Sequence, residues 1–302
     1  MSYNIRQLEP QARTLETMER IWVACFGMPV SGLLLANWSM SDPRTVVYGA
    51  FDGDRLVAFN AFLAHPALHL GKEILLFQSC HSATDPEYRK KGLFTDLIEH
   101  AKRELQGAYI IGFPNAQSKP IFLGRLGFRS VGLKRAWIPC QAGSLLLRSK
   151  SKTPDWTGHG GSFQDAKKSS NIITLDEDAA AAWKMRELGD SIVRSHNSFG
   201  NTIWGKIESR KIAGISMRFL SVGGSKVEEP RSLARTIGRL GQELGVFAIR
   251  AVGTPQSAIV SHSRIVLHGR NTEDLIWHPL NVGAGDVAFA LDNGIKDVAF
   301  WP

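Results

Sequence analysis

Cysteine is scarce, with only Cys25, Cys80 and Cys140 in 302 residues. Three thiols, widely spaced, exclude a disulfide framework and show no metal-ligand interval. Cys80, His81 and His100 lack the rest of a ligand set, so no metal is expected. No apolar run approaches the ~20 residues that cross a bilayer, so a membrane partner is not expected either. The start, MSYNIRQLEP, has neither a basic n-region nor an apolar core, which argues against a secretory leader. A reducing, cytoplasmic compartment is the expectation. Also missing is a long basic stripe with interleaved aromatics, which sets nucleic acid aside as a partner.

What is present describes an ordinary globular chain, 43% hydrophobic and 21% charged, long enough for two domains. The net charge of +8 is uneven. Residues 1–140 carry 16 basic against 12 acidic side chains, residues 141–170 carry 5 against 2, and residues 171–302 carry 15 against 14.

The organising stretch is Asp85-Pro86-Glu87-Tyr88-Arg89-Lys90-Lys91-Gly92-Leu93-Phe94. Residues 73–83 ahead of it read as a strand, apolar at first and then small and polar. Behind it Leu93, Phe94, Leu97, Ile98, Ala101 and Leu105 share one helical face. A strand thus runs through a short basic turn into a helix. The first-turn N–H groups of a helix have no internal acceptor, and its dipole favours an anion there. Gly92 permits close backbone approach, and Arg89, Lys90 and Lys91 add full charges.

Before this stretch, Asn4–Leu8 is an expected strand. Leu15, Met18, Trp22 and Cys25 mark a helix ended by Gly27, and a second short helix is expected over 31–40. Thr45–Phe51 and Arg55–Ala64 form a hairpin about Asp52-Gly53-Asp54, and His65-Pro66 through Gly71 should turn the chain into the central strand. After it come a strand over 108–113 and a short helix over 119–126, with Ser118 as N-cap and Gly127 as C-cap. The first domain is read as 1–140 and residues 141–170 as a basic linker.

The remaining 171–302 read as a second pass through similar elements. Strands are expected at 171–175, at 202–208 and 211–220 about Ser209-Arg210, at 246–252, at 288–290 and at 298–301. Helices are expected up to about Leu188 and along Leu233, Ile237, Leu240 and Leu244. Arg235-Thr236-Ile237-Gly238-Arg239-Leu240 mimics the basic glycine turn but falls inside the second of these helices.

Arg89-Lys90-Lys91-Gly92-Leu93-Phe94 resembles the R/Q-x-x-G-x-G/A pyrophosphate loop of the GNAT acyltransferases, with Phe94 where Gly or Ala is usual. Asn115-x-x-Ser118, a short helix and Leu126-Gly127-Phe128 resemble that family's next segment. The resemblance implies an α/β (α+β) fold of tandem GNAT-like domains. Each would be a mixed, mostly antiparallel twisted sheet flanked by helices, the second one degenerate. It also implies acetyl-CoA as co-substrate, a small-molecule amine as acceptor, and N-acyl transfer by direct attack on the thioester. Coenzyme A is a polyanion, consistent with the basic first half.

The resemblance carries over Ala83, Thr84, Arg89, Lys90, Lys91, Gly92, Leu93, Phe94, Asn115 and Ser118 as cofactor-binding candidates. Asn115 also reads as a turn residue capping its own backbone. Many family members place a tyrosine acid in the short helix, where this chain has Phe122 and Leu123, and some place a glutamate on the central strand, where it has Gln78. His81 is the first candidate for the base because imidazole titrates near neutral pH, and Glu73, acting through water, is the second. Strict alternation sets His81 and Thr84 on opposite faces unless the strand carries a bulge. Cys80 as an acylated nucleophile would need an adjacent base. Two alternatives to the amine acyltransferase stay open: a silent coenzyme A-binding sensor or scaffold, and a tandem-GNAT transferase using aminoacyl-tRNA. The second half would shape the acceptor site or a homodimer contact.

Overall fold

The computed structural model of the chain describes residues 3–27, 43–140, 172–175, 192–196, 202–212, 214–226, 240–241, 243–254, 274–280 and 287–290. The expected helices at 31–40 and before Leu188, the linker, most of the 233–244 helix and the 298–301 strand lie outside these residues.

In chain order the elements are β1 (Asn4–Gln7), α1 (Ala12–Phe26), β2 (Val46–Asp52), β3 (Arg55–His69), β4 (Lys72–Thr84), α2 (Leu93–Glu104), β5 (Tyr109–Gly112), α3 (Lys119–Gly124) and β6 (Arg129–Gly132). There follow β7 (Lys134–Pro139), β8 (Ile172–Leu175), β9 (Ile192–His196), β10 (Thr202–Ile212), β11 (Ile215–Lys226), β12 (Ala248–Gly253), β13 (Asp274–Pro279) and β14 (Ala288–Ala290). The chain divides into two compact units. The first comprises Met1–Ala67, Ile74–Val131 and Glu273–Gly285, and the second comprises Leu68–Glu73, Gly132–Thr272 and Asp286–Pro302. The class is α+β, as the resemblance implies.

The first unit is a mixed seven-stranded sheet in the order β1-β2-β3-β4-β5-β13-β6. β1, β2 and β3 pair antiparallel, while β4 and β5 are parallel. Side chains alternate across the strands, so each face carries its own buried cluster. Leu8, Met18, Ile21, Trp22, Phe51, Phe59, Ala61 and Ala83 pack on the α1 face. Tyr48, Ala58, Phe62, Phe77, Leu93, Leu97, Ile98, Phe122 and Phe128 pack on the face covered by α2 and α3.

The helices follow their stripes. α1 buries Met18, Ile21 and Trp22 and stops at Gly27, whose left-handed φ of 69° lets its N–H reach Val23 O at 2.8 Å. α2 buries Leu93, Leu97, Ile98 and Ala101 and carries Lys102 and Arg103 at its negative dipole end. Burying each of the leucine and isoleucine side chains contributes ~1.5–3 kcal/mol over leaving it exposed.

Two expectations are corrected. β3 does not turn at His65-Pro66 but runs on to His69. Its last pair with β2 is Val46↔Phe62, so the missing N–H of Pro66 interrupts no bond to that strand. The turn comes later, where Leu70 at φ 52° and Gly71 at φ 74° form a two-residue connection with both residues left-handed. In the second unit, β10 continues through Ser209 and Arg210, and Gly214 at φ 82° serves the reversal.

The second unit holds a five-stranded sheet, β7-β12-β11-β10-β9, in which only β11 and β12 are parallel. β8 and β14 pair parallel to each other. Its core is Cys140, Ile203, Leu220, Val222, Leu240, Val246, Ile249 and Ala251. Sheet membership does not follow chain order. β7 lies within 1–140 yet belongs to the second sheet, whereas β13, which is not among the expected strands, inserts beside β5 in the first.

Candidate active site

The basic turn is built as an anion cradle. Asp85 follows β4 and its Oδ1 accepts from Glu87 N at 3.1 Å, which starts a single 3₁₀ turn over Pro86–Tyr88. Arg89 is extended, then Lys90 and Gly92 both take left-handed φ, 65° and 83°. Two such residues in three positions double the backbone back before α2 begins. The first helical bond there is Asp96 N to Gly92 O at 3.0 Å, and Gly92 has no side chain to cap the amides of Leu93, Phe94 and Thr95. Those amides and the dipole of a twelve-residue helix meet exposed Arg89 and Lys90.

The cradle is braced from the β2–β3 hairpin. Arg55 donates to Asp85 Oδ2 at 2.8 Å and to Glu87 Oε2 at 3.2 Å. Tyr88 donates to Asp52 Oδ2 at 2.8 Å, a bond that raises the Tyr88 pKa above its ordinary value. Lys91 Nζ stands 4.1 Å over the Tyr88 ring. Of the three loop cations, Lys91 is therefore held by the brace.

Beside the cradle two parallel strands part. β4 and β5 keep register from Leu76↔Tyr109 to Ser79↔Gly112, where β5 ends. β4 continues to Thr84, still tied to β3 by Asp85 N to Val57 O at 2.8 Å. In this stretch His81 has φ 47°. A non-glycine residue there costs of order 1–2 kcal/mol, and on a strand it marks a bulge. The bulge shifts parity, because Ser79 and Ser82, three positions apart, both meet Asn60 on β3. Cys80 and His81 consecutively face α1. Cys80 packs on that cluster, and the His81 ring lies 6.1 Å from Trp22, with its Nδ1 3.4 Å from Cys80 Sγ. The bulge precedes His81, so His81 and Thr84 stay out of phase.

The segment after β5 is organised by Asn115. Its Oδ1 accepts from Gln117 N at 3.0 Å, Ser118 N at 2.9 Å and Ser118 Oγ at 3.1 Å. This capping role leaves the Asn115 amide NH₂ as the part able to reach a ligand. α3 spans six residues, and Gly127 at φ 68° leads into Phe128, whose N–H reaches Phe122 O at 3.0 Å. Phe122 is buried against Phe94 and Phe128.

The structure brings most of the sequence candidates to one end of β4. Arg89, Lys90, Lys91 and Gly92 form the cradle, and Leu93 and Phe94 contribute amides while their side chains enter the core. Ala83 points into the α1 cluster, and Thr84 O accepts from Cys25 Sγ at 3.1 Å. His81 is buried beside them. Glu73 stands apart: it is exposed at the other end of β4, eight residues and roughly 26 Å along an extended strand from His81. Gln78 is buried and hydrogen-bonds His65 Nε2 at 3.0 Å. Of the mimic motif Arg235–Leu240, only Leu240 lies within the described residues. No group of three potential metal ligands occurs among the described residues, and no described helix is long and apolar enough to cross a membrane. Sequence reasoning missed Asp52 and Arg55, whose roles need distant partners. It also passed over Asn60, although one amide inside the apolar run Val57–Ala64 was a usable signal.

Comparison with known proteins agrees with this geometry. A family model described as an acetyltransferase (GNAT) domain matches residues 4–131. No curated protein sequence matches the chain. Among solved structures, a GCN5-related N-acetyltransferase from Anabaena variabilis is similar at 11% identity and TM-score 0.62, covering 93% of this chain and 74% of that one. A GCN5-related N-acetyltransferase from Kribbella flavida is similar at 14% identity and TM-score 0.62, covering 93% and 73%. An Enterococcus faecalis protein described as a probable N-acyltransferase is similar at 12% identity and TM-score 0.55, covering 94% and 74%. At these identities the likeness speaks for the fold, and the family model for the catalytic class. Residues 4–131, with their basic glycine cradle set beside parting parallel strands, are a GNAT-family N-acetyltransferase domain.

Proposed function

We propose that this domain transfers an acyl group, acetyl in the first instance, from acyl-CoA to a primary amine by direct attack on the thioester. The observation that carries the reading is the end of the β4–β5 register at Ser79↔Gly112, with β4 running on to Thr84 beside the cradle. An extended pantetheine arm fits between strands that no longer pair, with its diphosphate on the α2 amides and on Arg89 and Lys90. The donor set suits this polyanion, since cations and uncapped amides converge there while the acidic neighbours Asp85 and Glu87 are engaged by Arg55.

The chemistry supplied by the thioester is an electrophilic carbonyl with a thiolate leaving group. The chain's part is to position that carbonyl at the unpaired end of β4, where the Ala83 and Thr84 amides are the candidate donors. His81 removes a proton from the attacking amine. α3 offers no hydroxyl for the departing sulfur, because Phe122 occupies the core. Acetyl-CoA offered with a panel of primary amines, read by thiol release, tests the assignment. The expected result is amine-dependent release together with an N-acetylated product. Tight coenzyme A binding with no turnover on any amine would favour the sensor alternative.

A further inference from the structure

Asn60 is fully buried on β3, in a strand otherwise apolar from Leu56 to Ala64. Its amide reaches both sides of the bulge and its own strand. Nδ2 donates to Ser79 Oγ at 3.2 Å and to Ala61 O at 3.0 Å, and Oδ1 accepts from Ser82 Oγ. Ser79 is the last β4 residue paired with β5, and Ser82 is the first residue beyond the left-handed His81. One amide therefore spans the bulge from side to side. It is anchored through β3, the neighbour that β4 keeps after β5 has ended.

A non-glycine residue in the left-handed region persists only where its surroundings over-determine it. Here the outer bonds of the bulge are hydroxyl bonds to Asn60. A side-chain amide, with both donors and an acceptor, can hold two serine hydroxyls and the carbonyl of its own neighbour at once. An unfilled amide in this dry position would be costly, so the three bonds support one another. The bulge in turn sets where the backbone of Ser82, Ala83 and Thr84 presents its amides.

We propose that Asn60 is a positioning residue. It clamps the β4 bulge through Ser79 and Ser82 and thereby fixes the amides that receive the thioester carbonyl, without touching substrate itself. This inference rests on the acyl-CoA reading above.

The test compares binding of three probes: coenzyme A, acetyl-CoA, and S-ethyl-CoA, a thioether of similar size that lacks the carbonyl. A clamped β4 should bind acetyl-CoA about fivefold or more tighter than S-ethyl-CoA, the size expected of one hydrogen bond to the carbonyl. Asn60→Asp, which loses the donor, and Ser82→Ala, which removes one arm, should each bring that preference close to one. Coenzyme A affinity should stay within about twofold, because the cradle is untouched. Thiol release with the best amine of the panel should fall about tenfold or more as the amides lose their aim. The Asn60→Asp/Ser82→Ala double variant should lose little beyond either single change, since both break one device.

Variants that melt lower yet keep the carbonyl preference and turnover would reduce Asn60 to a buried polar group of the core and overturn the proposal. Additive losses in the double variant would overturn it as well. Should Asn60→Asp fail to fold, Ser82→Ala, which leaves Asn60 in place, decides alone. A wild-type protein that neither prefers acetyl-CoA nor turns it over would sink the acyl-CoA reading itself. Preference that survives in the variants would sink only the clamp.

Discussion

The Phe94 ring stands edge-on to Phe122, 5.3 Å between centroids and at 90°. Both belong to stretches where the sequence departs from the family pattern, Phe94 as the last residue of the pyrophosphate motif and Phe122, with Leu123, where the short helix usually carries a tyrosine. In the folded chain they are each other's contact, and Phe122 also meets Phe128 at 4.8 Å. The departures are thus one packing arrangement between α2 and α3.

Breaking that pair should cost stability. Phe94→Ala leaves a cavity beside Phe122, and full burial of a phenylalanine sets a loss of ~3–5 kcal/mol. Phe94 is only partly buried, so about 2–3 kcal/mol is expected, including the aromatic pairing itself. The denaturant midpoint should fall with an unchanged slope. Phe122→Tyr should destabilise too, by about 1–3 kcal/mol for a hydroxyl buried without a partner, and should not raise turnover. A faster Phe122→Tyr enzyme would show that the short helix still faces the leaving group.

The cradle is tested by charge. Coenzyme A at ~100 times its dissociation constant adds ~2.7 kcal/mol to the folded state, a measurable melting shift. Arg89→Glu should abolish the shift while leaving the unliganded melting temperature nearly unchanged, because Arg89 is exposed. An undiminished shift in this variant would take Arg89 out of the site.

His81→Gln removes the proposed base and keeps a side chain of similar reach. Turnover should fall at least ~10²-fold, the low end for a positioned general base, with coenzyme A affinity retained. Near-normal turnover would return His81 to a structural role against Trp22. A loss of melting temperature together with weakened coenzyme A binding would instead mark it as a prop of the bulge.

Two histidines set a pH dependence of stability. Burial pushes the pKa values of His100, which meets Tyr48 edge-on at 4.8 Å, and of His278, beside Phe128, below the ordinary 6.5. Because the folded chain holds these protons less tightly than the unfolded chain, stability is fully present above 6.5. It is lost as pH falls from there toward the lower folded values. Melting temperature measured between pH 7.5 and 5 should drop on the acid side, and less so in His278→Gln. A curve that rises toward acid pH would contradict the burial of both rings.

Local physics made much of this protein legible in its sequence. The helical stripe of Leu93, Leu97, Ile98 and Ala101 and the hairpin at Asp52-Gly53-Asp54 depend on neighbours a few positions away. So does the cradle, because the cations, the glycine and the helix start that suit an anion are consecutive. What only the tertiary structure decided depends on partners far along the chain. Periodicity on β3 could flag Asn60 as out of place but could not name Ser82, 22 residues on, as its partner. Nothing within 274–279 announces that this strand will complete the first sheet against Tyr109–Gly112, or within 134–139 that β7 will leave for the second. A strand's hydrogen bonds are satisfied by whichever edge the fold presents. Its residues therefore specify that it pairs, and the packing of the whole chain specifies with what.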